Sequence, residues 1–112
     1  MKAAFLDETG PPEVIRYGDV PTPEPQGTEV RVKVGAVSVN PIDTYIRSGT
    51  VAFDLPQPFI VGSDLAGVVD AIGPNATKHK VGDRVWGSNQ GVLGRQGTFS
   101  EFAVCDLSLI HI

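Results

Sequence analysis

The residues best suited to chemistry lie in one stretch, residues 39–49, where a strand pattern ends in a polar corner. The stretch reads VNPIDTYIRSG. Pro41 cannot donate to a β-ladder, and the next residues are typical of a short helix that Gly49 ends. A strand, a polar corner and a short helix can aim side chains into a cleft. A second interpretation stays open: Asn40 caps the helix and Pro41 fills its first position, as both residues prefer.

Few residues in the chain are suited to binding a metal ion. A catalytic zinc needs three protein ligands, and a structural zinc needs four ligands, often sulfurs, at close spacing. Cys105, His79 and His111 are too few and too scattered for either. We therefore expect no metal site, with Cys105 a small apolar strand residue and His79 a surface group of a loop.

A glycine-rich stretch at residues 91–97 has a spacing that invites comparison with a nucleotide-binding turn. Dinucleotide binding needs such a turn between a strand and a helix, with the pyrophosphate at the helix N-terminus. No helical pattern follows residue 97, so we interpret the stretch as a loop that links strands.

Short β patterns divided by glycine and proline make up the rest of the chain. Residues 29–39 are the clearest, because Val30, Val32 and Val34 alternate with Arg31 and Lys33. Other strands are expected at residues 2–6, 14–20, 65–73 and 98–104, and a turn at positions 82 and 83 is expected to lead into one more that ends by residue 87. Glycines at positions 62 and 67 predict a close backbone approach or a bend in a curled sheet. About seven strands with one short helix predict a mainly β fold, a small barrel.

Composition excludes several classes of function. The net charge of −4 and the pI near 4.9 give no basic face for nucleic acid. No apolar run approaches the ~18 residues that span a membrane, so we expect no membrane partner. The chain has one cysteine, and Asp7 and Glu8 follow its first residues instead of an apolar signal sequence. These features predict a reducing, cytoplasmic setting.

Five blocks of sequence resemble the N-terminal, GroES-like domain of the medium-chain dehydrogenase/reductase superfamily, in its zinc-free, zeta-crystallin-like quinone oxidoreductase branch. In family order they are GPPEV (10–14), NPIDTYIRSG (40–49), GSDLAGVV (62–69), VGDRV (81–85) and GTFSEF (97–102). The resemblance implies a partly open β-barrel with one or two short helices over residues 1–106. It also implies that residues 107–112 are a non-family tail, from a truncation or junction, and that the family's Rossmann domain is absent.

The resemblance separates the chain from the zinc-dependent branch. Zinc members carry a metal-binding cysteine at the corner that Asn40 occupies, and histidine and glutamate where this chain has Ser63 and Asp64. The resemblance thus implies that no zinc is bound. Hydride acceptors that need no metal, such as quinones and activated enones, are the implied substrates.

The resemblance also assigns roles to residues of the corner. In family members, hydride passes from NADPH to the substrate in the cleft between this domain and the Rossmann domain. Tyr45 would contact the nicotinamide end of NADPH, and Asn40 would line the pocket as the catalytic hydrogen-bond donor, so that both residues touch cofactor and substrate. Ile42 would pack nearby and exclude water from the cofactor. Asp43 and Arg47 are expected on a solvated face or in a local ion pair.

Two functions follow as expectations. In the first, the chain is the substrate-side half of an NADPH-dependent quinone reductase and is inactive alone. In the second, the isolated barrel is a binding or assembly module, as the related co-chaperonin barrel is. Full-length relatives are commonly homodimers, whereas this chain is expected to be monomeric. The choice between NADPH and NADH depends on residues around the adenosine ribose, which would lie in the second domain.

Overall fold

The computed structural model describes residues 1–51, 54–92, 94–106 and 110–111. Within them lie eight strands, one α-helix and one 3-10 turn at Pro12–Val14. The strands are β1 (Lys2–Leu6), β2 (Arg16–Asp19), β3 (Val30–Ser38), β4 (Phe59–Ile60), β5 (Asp64–Ile72), β6 (Arg84–Gly87), β7 (Phe102–Cys105) and β8 (Ile110–His111), and the helix is α1 (Pro41–Ser48). No helix among these residues has the length and apolar character needed to cross a bilayer.

The strands form two antiparallel sheets. The smaller has the order β2-β1-β4, and the larger has the order β7-β3-β5-β6-β8. Backbone hydrogen bonds join the sheets beside β1: the Ala4 N–H donates to the Phe99 carbonyl at 2.8 Å, and the Glu101 N–H donates to the Lys2 carbonyl at 3.0 Å. The sheets do not close into a complete ring, so the prediction of a mainly β, partly open barrel with a short helix is confirmed.

The first half of β3 carries the core of the larger sheet. Val30 and Val32 are fully buried, and Arg31 between them points to the outer face, as the alternation predicts. There the Arg31 guanidinium donates to both carboxylate oxygens of Asp70 on β5, at 2.9 and 3.3 Å, and lies over the Phe102 ring of β7. The charge-assisted pair and the ring contact thus link the neighbouring strands β7, β3 and β5 on their outer side.

The second half of β3 leaves the core. The pairing register between β3 and β5 shifts between Arg31 and Val32 and again between Val34 and Ala36. Beyond the second shift the side chains of β3 are exposed on both faces, including Val37. The close approach predicted for Gly67 occurs here, since a Cβ built on it would lie 2.1 Å from the Lys33 carbonyl oxygen.

Two strands are shorter than their sequence patterns predict. At residues 14–20, the 3-10 turn comes first, with the Ile15 N–H donating to the Pro12 carbonyl, and β2 begins only at Arg16. At residues 98–104, the N–H groups of Gly97 and Thr98 donate to the carbonyls of Ile60 and Val61, so β7 begins only at Phe102. In both places local turns or contacts with the other sheet replace ladder bonds.

Two further loop features concern the end of the chain. The described part of residues 91–97 is a loop, as predicted, closed by a hydrogen bond from the Gly91 N–H to the Gln96 carbonyl. The short strand β8 pairs with β6 at the edge of the larger sheet, where Ile110 is buried in the core. The other residues of the expected tail, 107–109 and 112, lie outside the described residues, and the boundary at 106 stays a prediction.

Candidate functional site

The helix α1 is fixed to the end of β3 by a cap. Asn40 has extended backbone angles and occupies the N-cap position, and Pro41 is the first helical residue. The Asp43 carboxylate accepts the Asn40 backbone N–H at 2.8 Å, and the Asp43 N–H donates to the Asn40 carbonyl at 2.9 Å. The capping role considered for Asn40 is therefore confirmed. These bonds hold the Asn40 backbone to the first turn of the helix.

The other predicted site residues, Ile42 and Tyr45, differ in how far they are buried. Ile42 is half-buried and, with Ile46, packs against the core cluster that contains Leu6, Phe59 and Val61. Tyr45 is 50% exposed and belongs to no core cluster of the described residues. Since Ile42 and Tyr45 are three positions apart, they are neighbours on the helix surface. The structure thus places the half-exposed ring of Tyr45 beside a half-buried isoleucine.

The side chain of Asn40 belongs to a polar cluster at the paired ends of β3 and β5. Its Nδ2 donates to Asp64 Oδ2 at 2.8 Å and reaches Ser38 Oγ at 3.4 Å. Ser38 Oγ in turn donates to the same Asp64 oxygen at 3.1 Å. Ser38 and Asp64 are register partners, so the antiparallel ladder itself brings them together. We name these three residues the Ser38–Asn40–Asp64 cluster.

Asp43 departs from its expectation. It was expected on a solvated face or in a local ion pair, but only 7% of it is exposed. Burial raises the pKa of this carboxyl, and the nearby charge of Asp64 raises it further, while the hydrogen bond from the Asn40 backbone N–H opposes both. The expectation was wrong because the side chain turns back to cap its own helix.

Arg47 also has a structural partner. Its Nε donates to the Gly10 carbonyl at 3.2 Å, and the Gly10 N–H donates to the Arg47 carbonyl at 2.8 Å. The side chain is half-buried, and the partner that the structure gives its Nε is a backbone carbonyl and not a carboxylate. The reciprocal contact holds the C-terminal end of α1 against the loop that follows β1.

Sequence reasoning missed the part that Asp64 plays. In the sequence analysis Asp64 was notable only as the residue that stands where zinc members carry glutamate, but its side chain accepts from the hydroxyl of Ser38 and the amide of Asn40. These partners lie 26 and 24 positions away in the chain. No local pattern predicts such a contact. Only the register of β3 on β5 could have identified it.

A cavity of about 340 Å³ opens beside the Ser38–Asn40–Asp64 cluster. Ser38 and Asp64 line its polar end, and Val37, Leu65 and the half-exposed Trp86 line its apolar part. Asn40, Ile42 and Tyr45 are not lining residues of this cavity. Asn40 is therefore bonded to two residues that line the cavity, Ser38 and Asp64, without lining it itself. Tyr45 lies on the exposed side of α1.

The candidate metal ligands lie apart from this cluster. In the described ranges, no group of three or more His, Cys, Asp or Glu side chains could hold a metal ion. Cys105 is a fully buried residue of β7, as predicted. His79 was expected at the surface, but its side chain is only 8% exposed and its Nδ1 lies 4.0 Å from Asp83 Oδ2. The prediction failed because the loop folds back at Lys80, whose N–H donates to Asp83.

The thiol of Cys105 is expected to be unreactive in the folded protein. Burial raises its pKa to about 12, and the charge of Glu29 adds to this effect, so almost no thiolate exists in mildly alkaline buffer. Treatment with iodoacetamide, followed by intact mass spectrometry, should give no adduct on the native chain and one adduct after denaturation in guanidinium chloride. Equal rates of alkylation in the two states would contradict the buried position of β7.

Comparison with known proteins identifies relatives of the chain. Residues 26–111 match the family model of the alcohol dehydrogenase GroES-like domain. Human quinone oxidoreductase is 42% identical over 105 residues, which cover 93% of this chain and 31% of that protein. The chain thus spans about a third of the length of such curated relatives.

Solved structures resemble the chain over nearly all its length. An NAD-dependent alcohol dehydrogenase superposes with a TM-score of 0.90 at 30% identity, covering 99% of this chain and 39% of that one. Quinone oxidoreductase of Escherichia coli complexed with NADPH superposes with a TM-score of 0.88 at 28% identity, covering 100% of this chain and 33% of that one.

Proposed function

Because the chain belongs to the alcohol dehydrogenase GroES-like domain family, as a quinone oxidoreductase member of the medium-chain dehydrogenase/reductase superfamily, we propose that it is the substrate-side domain of an NADPH-dependent quinone oxidoreductase. In this proposal residues 1–106 form the domain, and the remaining two-thirds of the enzyme supply a Rossmann domain. The substrates are quinones or activated enones. The chain alone is inactive.

The residues around α1 fit one end of NADPH. Bound NADPH would supply the hydride. A nicotinamide ring needs an apolar surface and hydrogen-bond partners for its carboxamide. Tyr45 offers a half-exposed ring with a phenol, and Ile42 covers the adjoining part of the core. In the described residues no glycine-rich turn opens a helix, so the pyrophosphate would be bound by the second domain.

The observation that carries the proposal is the hydrogen bonding of the Asn40 side-chain amide. One of its N–H groups is held by Asp64 at 2.8 Å, whereas its contact with Ser38, at 3.4 Å, is near the limit of a hydrogen bond. The second N–H therefore makes only this long contact, which a hydrogen bond to a substrate oxygen would replace. A neutral donor aimed at an oxygen that gains negative charge stabilises the transition state more than the ground state.

The proposed reaction uses no zinc. By the resemblance drawn from the sequence, Asn40, Ser63 and Asp64 stand where zinc members of the superfamily carry cysteine, histidine and glutamate. Ser63 is buried, and its carbonyl accepts the Gln90 N–H, so its backbone serves the fold. Quinones and activated enones accept hydride without metal activation, which makes them the matching substrates. A cytoplasmic setting and a homodimeric complete enzyme also remain part of the proposal.

The test joins residues 1–106 to the remaining two-thirds of human quinone oxidoreductase. NADPH oxidation is followed with a naphthoquinone and with an activated enone, for the chimaera and for this chain alone. We expect turnover in the chimaera and none in the chain alone. Asn40→Ala in the chimaera should reduce kcat roughly a hundredfold, as the loss of an oxyanion donor does.

Two results would refute the proposal. One is turnover by the chain without a second domain. The other is a folded chimaera that binds NADPH and oxidises it with neither acceptor. A chimaera that binds NADPH but does not oxidise it would favour the alternative function, a binding or assembly module, because such a module needs no catalytic amide.

A further inference from the structure

Asp64 is anchored more firmly than a surface carboxylate. It begins β5, and its backbone carbonyl accepts the hydroxyl of Thr98, a fully buried side chain, at 2.9 Å. On one side its register partner is Ser38 of β3. Two strands and a buried threonine therefore fix the point from which its carboxylate reaches Asn40. A group held in this way can orient its partner.

The contact with Asp64 decides which end of the Asn40 amide faces the cluster. An ionised carboxylate only accepts hydrogen bonds, so the atom 2.8 Å from Asp64 Oδ2 is the NH₂ group of Asn40. The backbone N–H of Asn40 is held at the same time by Asp43 on α1. Two carboxylates on different elements thus hold Asn40 at its backbone and at its side chain. This leaves the amide little freedom to turn.

We propose that Asp64 is a positioning residue that orients the Asn40 amide toward the substrate oxygen and makes the site select uncharged acceptors. The inference rests on the proposed function. One N–H of Asn40 stays on Asp64, and the other exchanges its 3.4 Å contact with Ser38 for the carbonyl oxygen of the bound acceptor. Because Asp64 also lines the polar end of the 340 Å³ cavity, its negative charge disfavours a substrate that carries a carboxylate there.

The first experiment observes the orientation in this chain. The chain has three asparagines, Asn40, Asn75 and Asn89, so ¹⁵N labelling of asparagine gives three side-chain NH₂ signals. We expect the two Nδ2 protons of Asn40 to differ in shift and to exchange slowly with water. Asp64→Ala should bring them to the values of the exposed Asn75, whereas Asp19→Ala, which removes a carboxylate from β2 in the other sheet, should leave them in place. Asp64→Asn, which keeps the volume of the side chain, serves if Asp64→Ala does not fold.

The second experiment measures the consequence in the chimaera with human quinone oxidoreductase. Asp64→Asn should lower kcat for a neutral enone roughly tenfold, in the range known for residues that orient a functional group, with the Kd for NADPH unchanged. The same variant should raise kcat/KM for a carboxylate-bearing enone relative to its neutral analogue roughly tenfold, because a like charge is removed. Asp19→Asn, which removes the same charge from β2 in the other sheet, is the matched control and should not change this ratio.

The outcomes separate the inference from the function on which it rests. A wild-type chain whose Asn40 protons resemble those of Asn75 overturns the inference whatever the enzyme does. If the chimaera turns over and Asp64→Asn changes neither kcat nor the preference for neutral over charged enones, the inference is overturned. The proposed function is unaffected by that result. Asn40 protons that move to the values of Asn75 in Asp64→Ala, together with a wild-type chimaera that has no turnover, support the orientation by Asp64 and refute the proposed function.

Discussion

Replacing Gly67 by alanine is expected to lower the free energy of unfolding by about 3 kcal/mol or more, at the upper end of the cost of overpacking. Gly67 lies in β5 between Val34 of β3 and Val85 of β6. A Cβ at this position would lie 2.1 Å from the Lys33 carbonyl oxygen and 2.8 Å from Val32 Cγ1. The obstacle is the backbone of the partner strand, which cannot rotate away as a flexible side chain can.

The effect is measured by urea denaturation, followed through the fluorescence of Trp86 and far-ultraviolet circular dichroism. Gly35→Ala is the matched control, because a Cβ at Gly35, in the same strand pair, meets no atom closer than 3.6 Å. We expect its free energy of unfolding to stay within about 0.5 kcal/mol of the wild type. A Gly67→Ala variant with the wild-type midpoint would show that β3 and β5 are not as close as the structure has them.

Features with a local signal were predictable from the sequence. The alternation of Val30, Arg31 and Val32 identified β3, because a strand with one buried face repeats every two residues. Asn40 and Pro41 identified the start of α1, because an N-cap and a first-turn proline act within a few positions. In both cases the residues that carry the signal are those that form the element.

Features that depend on register were not predictable. The alternation gives no sign of the bulge between Val34 and Ala36, after which β3 loses its buried face. Asp43 has the sequence context of an exposed helical acid, and its burial follows from the cap and the packing of α1. Asn40 and Asp64 are 24 positions apart in the chain. Their contact forms only because β3 and β5 pair so that the end of β3 lies beside the start of β5. The roles assigned to Asn40, Ile42 and Tyr45 stay predictions.

Replacing Tyr45 by alanine in the chimaera is expected to raise the Kd for NADPH roughly tenfold or more, which corresponds to about 1.4 kcal/mol. The ring of Tyr45 is half-exposed and packs in no core cluster of the described residues, so its removal should not weaken the fold. The expected loss is the contact of an aromatic ring and a phenol with the nicotinamide end of the cofactor. Fluorescence titration with NADPH measures it directly.

Tyr17 provides the matched control for this prediction. It is 76% exposed on β2, in the sheet that does not contain β3 or β5, and Tyr17→Ala should leave the Kd for NADPH unchanged. Tyr45→Phe keeps the ring and removes the phenol, so an intermediate Kd would assign part of the binding to each. Since neither Tyr45 variant disturbs the core, an unchanged Kd in Tyr45→Ala cannot come from a compensating change of fold. That result would refute the cofactor role of Tyr45.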